Sequence, residues 1–385
     1  MKNFDYYNPV KILFGEGKID QIAAELKQGD KILMTYGGGS IKKNGTYDKV
    51  MKALKGFQVT EFGGIEANPK FETLIKAVQI VKEQRIDFIL AVGGGSVIDG
   101  TKFIAAAAPY EGNDPWDILV KGIKIEKAVP FGSVLTLPAT GSEMNSGAVI
   151  SRLSTKEKYA FGSPVLFPKF SVLDPTTTLS LPRHQVANGI VDAYIHTVEQ
   201  YLTYPSNSPI QDKFAESILK TLIEVGPETL SNPNDLAHRA NFMWSCTMAL
   251  NGLIATGVPT DWATHMIGHE LTAFFGLDHG VTLAIVYPAL LREMVDFKRE
   301  KLFQYGEEVW GIKNDGRPET IEKIINKTEE FFRSLSVKTK LNEHGITKEQ
   351  TKPIVERFKE RGWKLGEQKN ITPDVVERIL NRALS

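Results

Sequence analysis

The first 180 residues alternate short apolar runs, of the kind found in β-strands, with stretches of helical periodicity. The apolar runs include "KILMTYGGGS", "DFILAVGGGS", "VPFGSVLTLPAT" and "FSVLDP", and the first two end in glycines that lead into helical stretches. Such runs are typical of βαβ units, whose parallel strands are buried on both faces. This part of the chain is therefore predicted to be an α/β domain with a parallel sheet.

The pattern changes after "DPTTTLSLPRHQ", a segment whose prolines and hydroxyl residues predict a linker or the start of a helix. The segments "VANGIVDAYIHTVEQYL", "IQDKFAESILKTLIEVG", "RANFMWSCTMALNGLI" and "ETIEKIINKTEEFFRSL" all have helical spacing. We therefore predict two domains, residues 1–180 and residues 181–385, the second of them all-helical.

Composition narrows the class of protein. The 385 residues include 46 basic and 46 acidic side chains, a balance that favours neither a nucleic acid nor an anionic membrane as partner. The only cysteine is Cys246, which excludes an intramolecular disulfide and a cysteine-based zinc site. The N-terminal residues "MKNFDYYNPV" have no apolar stretch of the signal-peptide kind, so we expect a cytoplasmic location.

Two runs of glycine and serine follow strand-like segments and precede helical ones. They are Gly37, Gly38, Gly39, Ser40 and Gly93, Gly94, Gly95, Ser96. Successive glycines let the backbone approach a phosphate closely, and the helix that follows offers free N–H groups. Neither run completes the Gly-x-Gly-x-x-Gly fingerprint or the P-loop pattern, since Lys102 follows Thr101 rather than preceding it. The runs predict nucleotide binding without nucleotide hydrolysis, with ordinary strand-to-helix turns as the alternative.

A third strand-to-loop transition, "TLPATGSEMNSG", supplies further hydroxyl and amide groups. Its candidate cofactor contacts are Thr136, Thr140, Ser142 and Asn145. Outside this segment, Asn68 and Asp99 are also predicted to contact the cofactor. Because Thr and Ser also commonly cap helices, the segment supports a cofactor site only together with the glycine runs.

Histidine is rare in the chain and clustered where it occurs. The segment "DWATHMIGHELTAFFGLDHG" holds His265, His269 and His279, three of the seven histidines. In "NGIVDAYIHTVEQ", Asp192 and His196 are four positions apart and share a helical face, although such a pair alone is more often structural. One carboxylate with three imidazoles makes a ligand set suited to Zn²⁺ or Fe²⁺. A zinc protease is disfavoured, because "HELTA" lacks the second histidine of that motif.

Five segments resemble the iron-containing (group III) alcohol dehydrogenases in sequence, order and spacing. They are "GGGSVIDGTK", "TLPATGSE", "VANGIVDAYIHTVEQY", "GVPTDWATHMIGHELTAFFGLDHG" and "TLAIVYPALL". The resemblance covers essentially the whole chain, and "YGGGSIKKNG" is shared with the branch of butanol dehydrogenases and NADPH-dependent broad-range aldehyde reductases. It implies a Rossmann-like dinucleotide-binding domain, an all-helical metal-binding domain, an active site in the cleft between them, and a homodimer. Dehydroquinate synthases share this broad architecture.

The resemblance also implies roles for particular residues. The metal ligands would be Asp192, His196, His265 and His279. His269 would be the additional histidine near the nicotinamide, where it either relays a proton or supports the metal site. Lys158, in "STKEKYAF", resembles a family lysine that reaches the cofactor ribose.

These features predict reversible hydride transfer between a nicotinamide cofactor and small-to-medium aliphatic aldehydes, with butanal and butanol as examples. One divalent metal, Fe²⁺ or Zn²⁺, would polarise the substrate oxygen. One alternative is a metal- and NAD-dependent lyase similar to dehydroquinate synthase, which needs cationic groups around a polyanionic substrate. The apolar and aromatic segment around the histidines disfavours it. The other alternative is a non-catalytic sensor of nucleotide or metal.

The cofactor is predicted to be NADP(H) rather than NAD(H). NAD-preferring members of the family usually carry an Asp at the end of the strand "KILMTY", where its carboxylate binds the ribose 2′-hydroxyl. That place falls on Tyr36 or Gly37, so no acid there repels a 2′-phosphate. Ser40, the glycine N–H groups and Lys42 or Lys43 would attract it. The alternative is that both lysines point into solvent and the site accepts either cofactor.

Overall fold

The computed structural model describes all residues from Met1 to Ser385, which form two compact units. The N-terminal unit consists of Tyr7–Leu181 and Asn234–Thr247, and the C-terminal unit of Met1–Tyr6, Pro182–Pro233 and Met248–Ser385. Two segments thus belong to the unit opposite to the one that a single boundary near residue 180 implies. The domain limits 1–180 and 181–385 stay a prediction.

The two segments that change units are held by specific contacts within their units. The backbone N–H of Lys2 donates to the carbonyl of Gly257 in the C-terminal unit. In the other segment, Met243 lies in the hydrophobic core of the N-terminal unit, and the hydroxyl of Thr247 donates to the buried carboxyl group of Glu143. A helical spacing read along the sequence gives no sign of which unit such a segment joins.

The N-terminal unit is built on a parallel sheet. Its strands are β1 (Lys11–Phe14), β2 (Lys31–Tyr36), β3 (Gln58–Phe62), β4 (Phe88–Gly94), β5 (Phe131–Leu137) and, after a separate antiparallel hairpin of β6 (Gly147–Arg152) and β7 (Glu157–Gly162), β8 (Phe170–Leu173). The sheet has the order β1-β8-β5-β4-β2-β3, and every neighbouring pair is parallel. The predicted Rossmann-like sheet is confirmed, and each of its four predicted strands is present.

Helices follow the strands of this unit. They are α1 (Ser40–Lys43), α2 (Thr46–Ala53), α3 (Phe71–Gln84), α4 (Gly95–Ala107) and α5 (Asp117–Val120). Helix α4 is buried on nearly every face, because it packs against α3, β4, β5 and β6. Its apolar sequence, "GSVIDGTKFIAAA", suits that position, and its polar residues Thr101 and Lys102 are buried with it.

The remaining chain is helical, as predicted. The helices are α6 (Arg183–Tyr201), α7 (Pro209–Ser231), α8 (Leu236–Ala249), α9 (Ala263–Phe275), α10 (His279–Glu293), α11 (Val295–Trp310), α12 (Pro318–Ser334), α13 (Lys348–Glu360) and α14 (Pro373–Arg382). These helices belong to the C-terminal unit, except for α8, most of which belongs to the N-terminal unit. No helix combines the length and the apolar composition needed to cross a bilayer.

Candidate active site

The four predicted metal ligands come from three helices of the C-terminal unit. Asp192 and His196 lie one turn apart on α6, His265 lies in the first turn of α9, and His279 is the first residue of α10. Helix α9 ends at Gly276, whose φ of +69° is left-handed and favours glycine. The chain then turns and starts α10 at His279, so the loop between two packed helices determines where this imidazole lies.

Two glycines let these helices approach each other closely. A Cβ atom at Gly280 would lie 2.5 Å from the carbonyl oxygen of Asn188 on α6. A Cβ atom at Gly268 on α9 would lie 2.9 Å from Oγ1 of Thr282 on α10. A larger residue at either place would push α10 away from its neighbours. The glycines therefore allow the start of α10 to pack against the helices that carry the other ligands.

The side chains converge on one carboxylate oxygen. Oδ1 of Asp192 lies 3.6 Å from Nε2 of His265, 3.6 Å from Nε2 of His279 and 3.5 Å from Nδ1 of His196. The ligand atoms of Asp192, His265 and His279 all lie within 4.8 Å of one another. The ring of His196 stacks on that of His265, with centroids 4.5 Å apart. The structure thus brings three predicted ligands together as a group and places the fourth beside them.

Two atoms at the centre of this group lack hydrogen bonds. Oδ1 of Asp192 and Nε2 of His265 are buried and have no hydrogen-bond partner. Buried polar atoms are nearly always paired, and an unpaired one costs about 1–3 kcal/mol. A divalent cation among these atoms would satisfy both, and carboxylate with imidazole is a ligand set that Zn²⁺ and Fe²⁺ accept. The residues therefore fit a divalent metal.

The charges of the group compensate one another. Burial by itself would raise the pKa of the Asp192 carboxyl, but the neighbouring imidazoles of His196, His279 and His265 hold that pKa below its ordinary value. Burial would lower the pKa of His265, but the carboxylates of Glu199 and Asp192 raise it to about 9. The buried carboxylates of Asp192 and Glu199 favour positive charge at this site, whether a proton or a metal ion carries it.

Glu199, which lies one turn after His196 on α6, is not among the site residues predicted from the sequence. Its buried carboxylate accepts hydrogen bonds from the backbone N–H groups of Thr264 and His265 and pairs with Nδ1 of the His265 ring. A signal was available in the sequence: Asp192, His196 and Glu199 occupy positions i, i+4 and i+7, which share one helical face.

The predicted catalytic histidine, His269, lies next to the group and not inside it. It follows His265 by one turn on α9 and is buried. Its ring centroid lies 6.3 Å from that of His265 and 5.3 Å from that of His279. His269 therefore borders the ligands on the side of α10.

Aromatic residues adjoin the histidines. The ring of Trp262 lies against the rings of His265 and His196, with centroid distances of 5.4 Å and 6.3 Å. Phe274 and Phe275, at the other end of α9, pack against the helical core. Trp262 is thus the aromatic side chain that the structure places beside the candidate metal ligands.

The glycine runs lie in the N-terminal unit at the carboxyl ends of two neighbouring strands. The first follows β2, the second spans the end of β4 and the start of α4, and β2 pairs with β4. This edge of a parallel sheet is where such folds bind nucleotides. A Cβ atom at Gly38 or Gly39 would meet nothing within 4 Å, and Gly39 has a φ of +91°. The first loop therefore has room for a phosphate against its backbone.

The third loop packs on the second glycine run. A Cβ atom at Gly95 would lie 2.3 Å from Oγ1 of Thr140, so glycine is needed for this close contact. Thr136 lies in β5, which pairs with β4. The candidate residues of the second run and the third loop thus form one continuous part of the sheet edge.

A hydrogen-bond network around the buried Lys102 includes the side chains of Ser142, Asn145 and Asp99. Nζ of Lys102 on α4 donates to Oγ of Ser142, Oδ1 of Asn145 and the carbonyl of Gly147. Asp99 accepts hydrogen bonds from the hydroxyl of Ser142 and from the N–H of Val149. Burial lowers the pKa of Lys102 to about 8, against the opposing charges of Asp99 and Glu143. These three candidate residues therefore have a structural part in holding the loop.

Three other candidate residues meet each other. Nζ of Lys158 on β7 donates to Oδ1 of Asn68, and the backbone N–H of Asn68 donates to Oγ of Ser96. Asn68 has a φ of 54°, a left-handed conformation that asparagine adopts more readily than most residues. Lys158, Asn68 and Ser96 form a connected polar cluster next to the second glycine run.

Lys42, on α1 just after the first glycine run, forms an ion pair with Glu61. Its Nζ donates to Oε2 of Glu61 on β3 and lies 5.0 Å and 4.7 Å from the ring centroids of Tyr36 and Tyr47. Both tyrosine hydroxyls also donate to Glu61. Hydrogen bonds with Tyr36 and Glu61 raise the pKa of Lys42. The first glycine run therefore has a cation and a carboxylate beside it, and their charges balance.

Comparison with known proteins decides the family. Residues 9–175 match the iron-containing alcohol dehydrogenase family, and residues 186–384 match the C-terminal region of the Fe-containing alcohol dehydrogenase family. The chain belongs to the iron-containing alcohol dehydrogenase family. The predicted membership is confirmed, and the candidate metal group lies within the matched C-terminal region.

Close relatives of this alcohol dehydrogenase family member cover its full length. It is 55% identical over 386 residues to the NADPH-dependent aldehyde reductase YqhD of Escherichia coli (strain K12), with 100% of both chains covered. It is 43% identical over 391 residues to the probable NADH-dependent butanol dehydrogenase 1 of Bacillus subtilis (strain 168), again with 100% of both chains covered. The predicted branch of the family is confirmed by these relatives.

Solved structures of relatives have the same fold as this chain. The crystal structure of E. coli K-12 YqhD matches with a TM-score of 0.97 at 54% identity, covering 99% of each chain. The NADH-dependent butanol dehydrogenase A of Thermotoga maritima matches with a TM-score of 0.96 at 38% identity, covering 100% of this chain and 99% of that one. The predicted architecture is confirmed as that of the iron-containing alcohol dehydrogenases.

Proposed function

We propose that this protein is a metal-dependent aldehyde reductase that transfers hydride reversibly between NADP(H) and small-to-medium aliphatic aldehydes or alcohols. The observation that carries the proposal is the buried group of Asp192, His265 and His279, in which Oδ1 of Asp192 and Nε2 of His265 have no hydrogen bond. A purely structural cluster would pair these atoms within the protein. Family membership supports the same reaction.

Asp192, His265 and His279, together with the adjacent His196, would hold one Fe²⁺ or Zn²⁺. A divalent ion in such a site supplies Lewis acidity towards a carbonyl oxygen. The chain's own residues define the surroundings. The apolar ring of Trp262 lies beside that of His265, which suits an aliphatic substrate better than a polyanionic one.

Reduction of an aldehyde adds a hydride to the carbonyl carbon and a proton to its oxygen. NADPH would supply the hydride, and the proton has to come from an acidic side chain or from water. We assign this step to His269, because its imidazole lies one turn from His265 and borders His279. The alternative is that His269 only packs against the ligands and keeps them in place.

The N-terminal unit would bind the cofactor through its two glycine runs. Open space around Gly38 and Gly39 supports contact between the first run and a phosphate. Positions 36 and 37 are Tyr36 and Gly37, so no acidic side chain there repels a 2′-phosphate. The relative YqhD is named as NADPH-dependent, which supports the same cofactor. Glu61 offsets the charge of Lys42. The preference for NADPH therefore rests on Ser40 and the glycine backbone as much as on Lys42.

We also propose a homodimer, on the strength of the family resemblance. Light scattering coupled to gel filtration should give a mass of twice 42.8 kDa. A single chain in solution would contradict this part of the proposal.

The experiment that tests the function is a matrix of NADPH and NADH against C2 to C6 aldehydes, using protein stripped of metal and then loaded with Fe²⁺ or Zn²⁺. We expect metal-dependent oxidation of NADPH with butanal. A lyase similar to dehydroquinate synthase would instead prefer a phosphorylated or acidic substrate, and a sensor would consume no NADPH. Either result would reject the proposed function.

A further inference from the structure

Glu199 connects the start of α9 to the candidate metal group. Oε1 accepts the N–H of Thr264 at 2.7 Å, and Oε2 accepts the N–H of His265 at 3.3 Å and pairs with the Nδ1 of the same residue's ring. The carboxylate is buried, with a side-chain exposure of 2%. The carbonyl oxygen of Glu199 in turn accepts the N–H of Asp261, just before α9.

This pairing decides which nitrogen of His265 is available as a ligand. A neutral imidazole carries its proton on one nitrogen and a lone pair on the other. Because Nδ1 faces a carboxylate, the proton belongs on Nδ1, and the lone pair is then on Nε2. Nε2 is the atom that lies 3.6 Å from Oδ1 of Asp192 and has no hydrogen bond.

We propose that Glu199 is a positioning residue that makes His265 a metal ligand by fixing its tautomer and the orientation of its ring. The inference rests on the metal site of the proposed function and names the residue on which its affinity depends. Carboxylate partners of ligating histidines typically contribute about 10- to 100-fold to metal affinity. Glu199 acts through His265 and does not touch the metal.

A competing explanation is that Glu199 only caps α9. Its two backbone contacts, to Thr264 and His265, satisfy N–H groups that the first turn of any helix leaves unpaired. A cap alone would stabilise the fold and leave metal affinity unchanged. The two roles therefore differ in a measurable quantity, the affinity for metal relative to the stability of the metal-free protein.

The Glu199→Gln variant separates them. Glutamine keeps the size of the side chain but offers one acceptor oxygen and one NH₂ group. If its oxygen faces the His265 ring, its NH₂ group meets the N–H of Thr264. If its NH₂ group faces the ring, Nδ1 has to accept a hydrogen bond, the proton moves to Nε2, and the lone pair needed for the metal is lost. The first orientation breaks the contact with Thr264 and displaces the side chain that holds the ring, and the second removes the lone pair.

Glu216→Gln is the matched control. Glu216 is a buried carboxylate on α7 of the same unit, where its Oε1 accepts hydrogen bonds from Tyr201 and Gln304. This substitution measures the general effect of neutralising a buried glutamate without touching a candidate ligand. Glu199→Asp keeps the charge but shortens the side chain, so it changes the position of the carboxylate that holds the His265 ring.

The test is titration of the metal-free, full-length protein with Zn²⁺ against a competing chelator, with Co²⁺ absorption spectra as the second readout. We expect Glu199→Gln to bind Zn²⁺ about 10- to 100-fold more weakly than the wild type and to give a changed Co²⁺ spectrum. Glu216→Gln should match the wild type in both. If Glu199→Gln fails to fold, Glu199→Asp is compared with the wild type, and its Co²⁺ spectrum should differ because the shorter carboxylate moves the ring.

Wild-type Zn²⁺ affinity in Glu199→Gln, or an unchanged Co²⁺ spectrum in Glu199→Asp when Glu199→Gln does not fold, would overturn the inference. Loss of thermal stability in metal-free Glu199→Gln with unaltered Zn²⁺ affinity would do the same and would assign Glu199 to capping. His265→Ala distinguishes failure of the underlying site. If that variant binds Zn²⁺ as tightly as the wild type, the proposed metal site is wrong, and Glu199 has no ligand to position.

Discussion

Oδ1 of Asp192 lies 3.6 Å from Nε2 of His265, and neither atom makes a hydrogen bond. The first atom belongs to α6 and the second to α9, so the packing of two helices brings together residues that are far apart in the chain. Such an arrangement is costly unless a cation or a shared proton occupies it. Asp192 and His265 are therefore the pair on which the proposed chemistry depends most directly.

Replacing His265 tests whether the ligands act as one unit. His265→Ala should abolish aldehyde reduction and lower the metal content of the purified protein, because the remaining ligands must hold a more hydrated ion. Metal analysis and the rate of NADPH oxidation measure the two effects. His184→Ala, an exposed histidine on the same helix as Asp192, is the control and should retain both. Full metal occupancy and normal turnover in His265→Ala would show that the metal is bound elsewhere.

His269 should separate from the ligands when it is replaced. His269→Ala is expected to keep its metal and to lose about 10²-fold in kcat if the imidazole delivers the proton. Metal content and steady-state rates on the same sample distinguish the roles. Complete loss of metal would make His269 a ligand, and an unchanged kcat would remove it from proton transfer.

The strands and the candidate ligands could be predicted because their signals are local. Short apolar runs identify β2, β4, β5 and β8, whose residues are mostly buried on both faces, and the runs of β2 and β4 end in glycine. Strand β1 has four residues and β3 is partly polar, so neither stands out in the sequence. The helical spacing of Asp192 and His196 indicates a metal site only in combination with His265 and His279.

Contacts between distant residues escaped prediction. Glu199 is on the same helical face as the ligands, but its partners, Thr264 and His265, lie in another helix. The sequence around Lys102 predicts an ordinary helical lysine, and its burial follows from the packing of α4, which is buried on nearly every side. Both residues owe their roles to tertiary packing, which periodicity along the chain does not encode.

Cofactor preference should depend on charge in the first glycine run. Gly37 is a poor site for substitution, because a Cβ atom there would lie 3.2 Å from the carbonyl oxygen of Ile65, whereas Gly38 has open space. Gly38→Asp should therefore shift kcat/KM towards NADH, since a carboxylate 5 Å from a 2′-phosphate costs about 3 kcal/mol per unit charge at an effective dielectric constant of 20. Gly38→Asn is the uncharged control. In the wild type NADPH should be the better cofactor, and equal efficiency with NADH would reject the predicted preference.

Stability should depend on pH through Lys102. Burial lowers its pKa to about 8 in the folded protein, while the unfolded chain keeps an ordinary lysine pKa. Between pH 8 and 10 the unfolded state binds more protons, so the free energy of unfolding rises with pH by at most about 1.4 kcal/mol per unit from this group. Urea unfolding of the wild type and of Lys102→Met at pH 8, 9 and 10 measures the difference. Parallel pH profiles for the two proteins would contradict the expected proton release.

The most direct test of the central claim is transfer of deuterium to butanal from NADPH that carries deuterium at both C4 positions, followed by mass spectrometry of the butanol. We expect deuterium at C1 of the alcohol with protein loaded with Fe²⁺ or Zn²⁺, and none with the metal-free protein or with loaded Asp192→Asn. Butanol without the label, or equal labelling by the loaded and the metal-free protein, would contradict a metal-dependent hydride transfer at the group of Asp192, His265 and His279.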